Sequence, residues 1–317
     1  MKQIMAGLVL SRKLLAGALI GSIMLVCTDA WAETSQKKGD ASLRVEYQYI
    51  RTGEYDSSVG KIDIGNTDSH AIVLSGDYAF NDRWKVFASL PYIQKRHKGA
   101  LPHDPTVDFV NYTPPDMRVT DDGSYHGGFQ DLFFGLQYLA LDGPLELAPF
   151  ISYGLPASNY PFYAHAAIGR NIWHLPVGVS LSYTPYFSDW YLKSDIAYVF
   201  TEKSLGVNVS HWLIYASASY FFTPRFAPKA FVSIKHVNGG LSFPDDFPPE
   251  SFDSEHWYYH DRTIKHNFVN AGVGFDWILN EKYQLSGTLF TMVKPEQVNT
   301  IEYAFTLGLT RYFGGSQ

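Results

Sequence analysis

Cysteine is almost missing from this 317-residue chain: Cys27 is the only one. It falls in an N-terminal segment that reads as removable, so the protein from Glu33 onward carries no thiol. Disulfide staples, cysteine metal clusters and thiolate nucleophiles are thereby excluded. Long apolar runs are missing too. Beyond the N-terminus no run approaches the roughly 20 apolar residues that a membrane-crossing helix needs. Basic charge is not in excess either, with 25 Lys+Arg against 31 Asp+Glu. Nucleic-acid binding is not expected, because neutralising phosphates takes clustered Lys and Arg.

What the chain does have begins with a secretory signal. Lys2, Arg12 and Lys13 precede an apolar run from Leu14 to Cys27, and Ala30, Trp31 and Ala32 form a small-residue cleavage context. The run is too short for a transmembrane helix, and bulky Val26 before Cys27 argues against lipid attachment. Residues 1–32 are therefore read as a signal peptide cleaved after Ala32, and residues 33–317 as one exported domain.

Aromatic residues make up 16% of the chain, and they fall in an alternating pattern. Val269, Ala271, Val273, Phe275 and Trp277 lie on one face of an extended segment, with Phe268, Asn270, Gly272, Gly274 and Asp276 on the other. After a polar turn at Asn280, Glu281 and Lys282, Tyr283, Leu285, Gly287 and Leu289 alternate with Gln284, Ser286 and Thr288. Alternating segments of about ten residues behind a signal peptide define the expected fold: an all-β, transmembrane, antiparallel up-and-down barrel of the outer-membrane type. Such a barrel can sit in lipid where a helical bundle cannot, because closure pairs every backbone group.

Reading alternation between turn signals gives strands at 42–50, 71–80, 83–93, 128–139, 145–154, 163–172, 177–186, 190–200, 209–222, 226–236, the pair just described, and 301–313. That makes thirteen, whereas a barrel with both ends in the periplasm needs an even number. The surplus is assigned to 177–222, where Pro185, Asp189 and Gly206 interrupt the pattern, and twelve strands are expected, with fourteen as the alternative. Long segments at 51–69, 94–127, 155–162 and 237–262 alternate with tight turns that fall on one side only, as in bacterial barrels and unlike a soluble sandwich. The outward faces carry no charge at mid-strand. An arginine at Val273 should therefore block assembly, while a serine at Gly274 should be mild.

The final segment, IEYAFTLGLTRYF, begins at Ile301 and closes on Phe313, with Phe305, Leu307 and Leu309 in alternate positions. It resembles the insertion signal of outer-membrane barrels, although Gly314 to Gln317 extend past the aromatic. The resemblance implies recognition by the barrel-assembly machinery and a surround of outer-membrane lipid. ASLPYIQKR, from Ala88 to Arg96, and GGFQDLFFGLQY, from Gly127 to Tyr138, with APFISYGLP from Ala148, are similar to the barrel family named for the meta-cleavage pathway of phenol degradation. Membership would imply an outer-membrane channel for hydrophobic or aromatic compounds.

Inward positions mix polar groups (Arg44, Glu46, Gln48, Asp77, Lys85, Asp131, Gln137, Lys193, Asp195, Lys235, Asp276) with aromatics (Phe87, Phe133, Phe150, Phe231, Phe268, Phe290). These are the expected lumen-lining residues. The rings either make a path for small, partly apolar solutes or fill a narrow, plugged barrel; the charges read first as structural ion pairs, beginning with Arg44 beside Glu46. Phe247 and Trp257, with Phe243 and Phe252, mark a loop that packs on itself over the mouth. Its acidic and histidine residues, from Asp245 to Asp261, match neither a calcium loop nor a His-Glu-x-x-His site. They are read as a solvated surface, as are His103, Asp104, Asp121, Asp122 and His126, and no metal or cofactor is assigned. Ser124 near His126, and His260 beside Asp261, lack a nucleophile motif, so an outer-membrane lipase or protease is a lesser reading.

Overall fold

The computed structural model describes residues 36–314; the signal segment with its cleavage site, and the last three residues, lie outside the described residues. The chain runs β1 (Ala41–Ser57), β2 (Gly60–Ile62), β3 (Asn66–Ala79), β4 (Trp84–Lys98), β5 (His126–Phe129), β6 (Asp131–Tyr138) and β7 (Leu145–Pro156). It continues through β8 (His174–Tyr183), β9 (Trp190–Thr201), β10 (His211–Tyr220), β11 (Phe226–Val237), β12 (Asn267–Asn280), β13 (Tyr283–Glu296) and β14 (Val298–Phe313). Consecutive strands pair antiparallel, and β14 returns to β1, with Val45 opposite Leu309 and Tyr47 opposite Leu307. The sheet thus closes on itself and no strand edge is left to face lipid. Twelve strands form the wall. The two short ones only extend it, β2 folding back on β1 and β5 lying on the end of β4.

The surplus segment is not where the interrupted alternation placed it. Residues 177–222 form regular hairpins, with Pro185 and Asp189 in the turn after β8 and Gly206 in the turn after β9. Instead, 163–172 is no strand: Ala164 and Asn171 have positive φ, and the amides of Ala167 and Ile168 turn back to the carbonyls of Ala164 and Pro161. Its alternate apolar residues are buried because this loop packs inward. Tight turns are not confined to one end either. Gln297, at φ 58°, alone connects β13 to β14 on the long-loop side. Its side-chain oxygen accepts from the Phe243 amide at 2.6 Å and its amide donates to the Phe243 carbonyl at 3.1 Å, which anchors the loop 238–266.

The outer surface follows the alternation. Val45, Ile72, Leu74, Val86, Leu136, Ile151, Val273, Leu289 and Leu307 are exposed in a central band. Aromatics flank it: Trp84 on Tyr138 and Trp190 on Tyr220 at the short-turn end, Tyr49 on Tyr303 and Tyr198 on Trp212 at the other. Such girdles sit at lipid headgroup level. Arg311 lies 4.6 Å from the Phe313 ring at the barrel end, where a guanidinium can reach water.

Inside, large rings lie over glycines of the next strand. A Cβ at Gly135, Gly154, Gly178 or Gly272 would overlap Phe87, Phe133, Phe150 or Phe231 respectively. These phenyl groups therefore lie flat along the wall. Gly274 is equally constrained, since an added Cβ would run into the Gly287 carbonyl on β13 and crowd Thr288 and Lys229. A serine there is not mild, because the close approach is to backbone that cannot give way.

Candidate functional site

Three connections at the long-loop end fold together as a cap. Residues 99–125 follow β4, 157–173 follow β7, and 238–266 follow β11; the last contains the short helices α1 (Glu255–Tyr258) and α2 (His260–Thr263). Phe243, Phe252 and Trp257 pack ring to ring within the last loop, and Phe247 joins them, 6.1 Å from Trp257. Tyr163 and Tyr258 stack at 5.4 Å between loops, and the Arg262 guanidinium covers Phe162 at 3.6 Å. Tyr163 also donates to Asp108, and Asn111 to Asp253. The last loop has two faces: Asp245, Asp246, Glu250 and Glu255 are exposed, as expected of a solvated acidic surface, while Phe247, Tyr258, His260 and Ile264 are buried.

Beneath this cap lies a cavity of about 540 Å³. Much of its wall is apolar: Ile50, Ile93, Phe268 and Ile301 from the barrel strands, Ile64 from the link between β2 and β3, and Phe162, Phe243, Phe252 and Trp257 from the cap. The apolar surface continues down one side of the inner wall, where Tyr215, Phe231, Phe290 and Met292 cluster with Ile50, Phe268 and Ile301. Lys95, Arg170 and Lys235 also line the cavity. Lys95 donates to the Ala167 carbonyl at 2.7 Å and Arg170 to the Ile264 carbonyl at 2.6 Å; among the described residues none of the three cations forms an ion pair. Burial pushes Arg170 down to about 10, a displacement that nearby Asp261 partly offsets. His266 is held well below the ordinary imidazole range by burial, and further by the charges of Arg170 and Lys235.

Below the cavity the inward polar residues neutralise one another. Arg44 meets Glu46 at 2.5 Å and donates to Thr310; Lys193 lies 3.3 Å from Asp195, and Lys229 lies 3.2 Å from Asp276, which also accepts from Gln284. Asp131 accepts from Tyr160 at 2.5 Å, and Asp77 from Ser42. Buried charges need such partners.

The structure places every inward residue anticipated from the alternation on the inner face. Gln48, Lys235 and Phe268 border the cavity, and Phe231 and Phe290 belong to the apolar strip. Lys85, Phe87, Phe133, Gln137, Phe150, Lys193 and Asp195 are buried farther around the wall. Of the mouth pair, Trp257 lines the cavity while Phe247 backs it. Lys95 and Arg170 were missed. Lys95 shares the parity of Lys85, five inward positions earlier on β4, which would have revealed it; Arg170 was hidden in the stretch read as a strand. The Ser124 and His126 pairing does not form a nucleophile contact among the described residues: the His126 ring and the Ser124 amide both bind the Asp122 carboxylate. His260 turns its Nδ1 to the Trp257 carbonyl, 2.7 Å away.

No protein-family model matches the chain, and no curated protein matches it in sequence. A solved structure shares its fold, a closed barrel of the outer-membrane type. An outer membrane channel from Pseudomonas putida superposes with a TM-score of 0.64 at 14% identity, covering 88% of this chain and 97% of that one. The NanC porin gives 0.48 at 10% identity, covering 85% and 98%. The CymD monoaromatic hydrocarbon channel gives 0.46 at 14% identity, covering 89% and 90%.

Proposed function

We propose that this barrel is an outer-membrane channel for small, partly apolar solutes and that it favours those bearing an anionic group, such as aromatic carboxylates. The observation that carries this reading is the capped cavity: its wall is apolar, it adjoins the strip formed by Phe231, Phe290 and Met292, and Lys95, Arg170 and Lys235 face it without carboxylate partners among the described residues. A concave, mostly apolar site with a few placed polar groups is the usual form of a small-molecule site. Phe87, Phe133 and Phe150 lie flat against glycines of the neighbouring strands, which takes up less of the lumen than upright rings would. The fold shared with the Pseudomonas channel and the similarity of Ala88 to Arg96 and Gly127 to Tyr138 to the phenol-pathway barrels point the same way.

On this reading the chain is exported with loss of residues 1–32, is inserted by the barrel-assembly machinery acting on the strand that ends at Phe313, and is a conduit rather than a hydrolase. The cap restricts access. The test is solute uptake into liposomes carrying wild type or a variant in which residues 243–257 are replaced by a short glycine–serine linker. Faster uptake of benzoate in the variant is expected. Absence of uptake in both would favour a plugged structural barrel, and release of fatty acid from the lipid would favour an enzyme.

A further inference from the structure

We propose that His97, Asp121 and His165 form a binding site for one divalent transition-metal ion, of the zinc, copper or nickel kind, which clips two loops of the cap to the barrel wall. His97 stands near the end of β4, Asp121 in the loop 99–125 and His165 in the loop 157–173. One ligand atom from each lies within 4.8 Å of the others. The His97 and His165 rings are 4.5 Å apart.

The donors are prepared in a way that packing alone does not require. His97 is 1% exposed; its Nδ1 faces the Thr67 hydroxyl at 3.0 Å, and its Nε2 is buried with no hydrogen-bond partner. The Nε2 of His165 is buried and unpartnered as well. A metal-binding imidazole is commonly oriented by an oxygen on its other nitrogen, and Thr67 supplies that contact. Asp121 is fixed by three amides: Oδ2 accepts from those of His103 and His165 at 3.1 Å each, and Oδ1 from that of Ala166 at 2.9 Å, which leaves Oδ1 a lone pair for a metal. His103 Nδ1, also buried without a hydrogen-bond partner, lies 3.6 Å from the Asp121 carboxylate, outside the three-residue group, and would have to turn inward to serve as a fourth ligand.

Three imidazoles and a carboxylate suit borderline metals, whereas calcium and magnesium favour oxygen. With bonds of about 2.0–2.1 Å, ligands of a tetrahedral ion stand roughly 3.3 Å apart, so modest side-chain rotation closes the site. The ion would join wall to cap where His103 and His165 line the cavity.

The test uses the full barrel in detergent, stripped with a chelator and then dialysed against Zn²⁺, with the bound metal counted. Co²⁺ absorption reports the geometry, and heat-modifiable migration confirms that each variant is folded. One ion per barrel is expected in wild type. His97→Ala and His165→Ala should lose it, with His97→Gln used if the alanine variant does not fold. Thr67→Val should bind about 10- to 100-fold more weakly. His126→Ala should bind as wild type, since that ring is partnered by Asp122 outside the cluster. Folded wild type that takes up neither Zn²⁺ nor Co²⁺, or binding that survives loss of both His97 and His165, would overturn the proposal. Neither readout depends on solute passage.

Discussion

Placing a guanidinium on the lipid face at Val273 tests the barrel and its register together. Val273 is the seventh residue of fourteen in β12 and is 59% exposed. Its cross-strand neighbours are Ala230 on β11 and Leu289 on β13, so Val273→Arg finds no carboxylate beside it. The nearest aromatic of the girdle along the strand is Trp277, four residues and therefore roughly 13 Å away, too far for the side chain to reach headgroups. The cost at the bilayer midplane is about 2–4 kcal/mol, which lowers the folded-to-unfolded ratio by a factor of roughly 30 to 1,000. Urea titration in lipid vesicles, read by heat-modifiable migration, measures it. The control is Ser75→Glu, at an inward position opposite Arg44 on β1, where the new carboxylate meets not lipid but polar groups and the guanidinium it would share with Glu46. Equal folding of the two variants would show that the faces are exchanged, since a register slip of one residue does that.

Gly154→Val should destabilise the barrel markedly, because its Cβ displaces the Phe133 ring; the double variant with Phe133→Ala should recover part of the loss in the same titration. Lys235→Gln should reduce uptake of benzenesulfonate relative to a neutral sugar in liposomes, and an unchanged ratio would remove Lys235 from selectivity. The cap should loosen in acid. His266 binds a proton less readily in the closed cap than in an opened one, so the open form gains protons as pH falls below about 6.5 and closure weakens. Faster proteolysis of 238–266 at pH 5.5 than at pH 7.5, with the difference reduced in His266→Gln, is the expected result.

The strands legible in the sequence are those whose two faces meet different solvents. In β12 and β13 lipid selects Val273, Leu285 and Leu289 outside, and the interior selects Asp276, Gln284 and Thr288, so period two is uninterrupted. The same period misled at 163–172, because a loop folded into the mouth also buries alternate residues: Ala164, Ala166 and Ile168 are all buried there. Nothing in the sequence marks Ala164 or Asn171 as left-handed. Gly274 looked like a small lumen residue, but its constraint comes from the approach of β13, which spacing cannot reveal. The cavity was legible only in part for the same reason. Trp257 and Lys235 were visible on their own segments, whereas the meeting of Lys95, Arg170 and His266, or of His97, Asp121 and His165, depends on loops far apart in the chain.

If solute crosses this barrel through the capped cavity, uptake by the unaltered protein will show it. Liposomes carrying wild type should admit benzenesulfonate, which stays ionised and barely crosses bare lipid, faster than a neutral sugar of similar size, and protein-free liposomes should admit neither. Uptake of both solutes at the protein-free rate, by a barrel that migrates as folded, would contradict it.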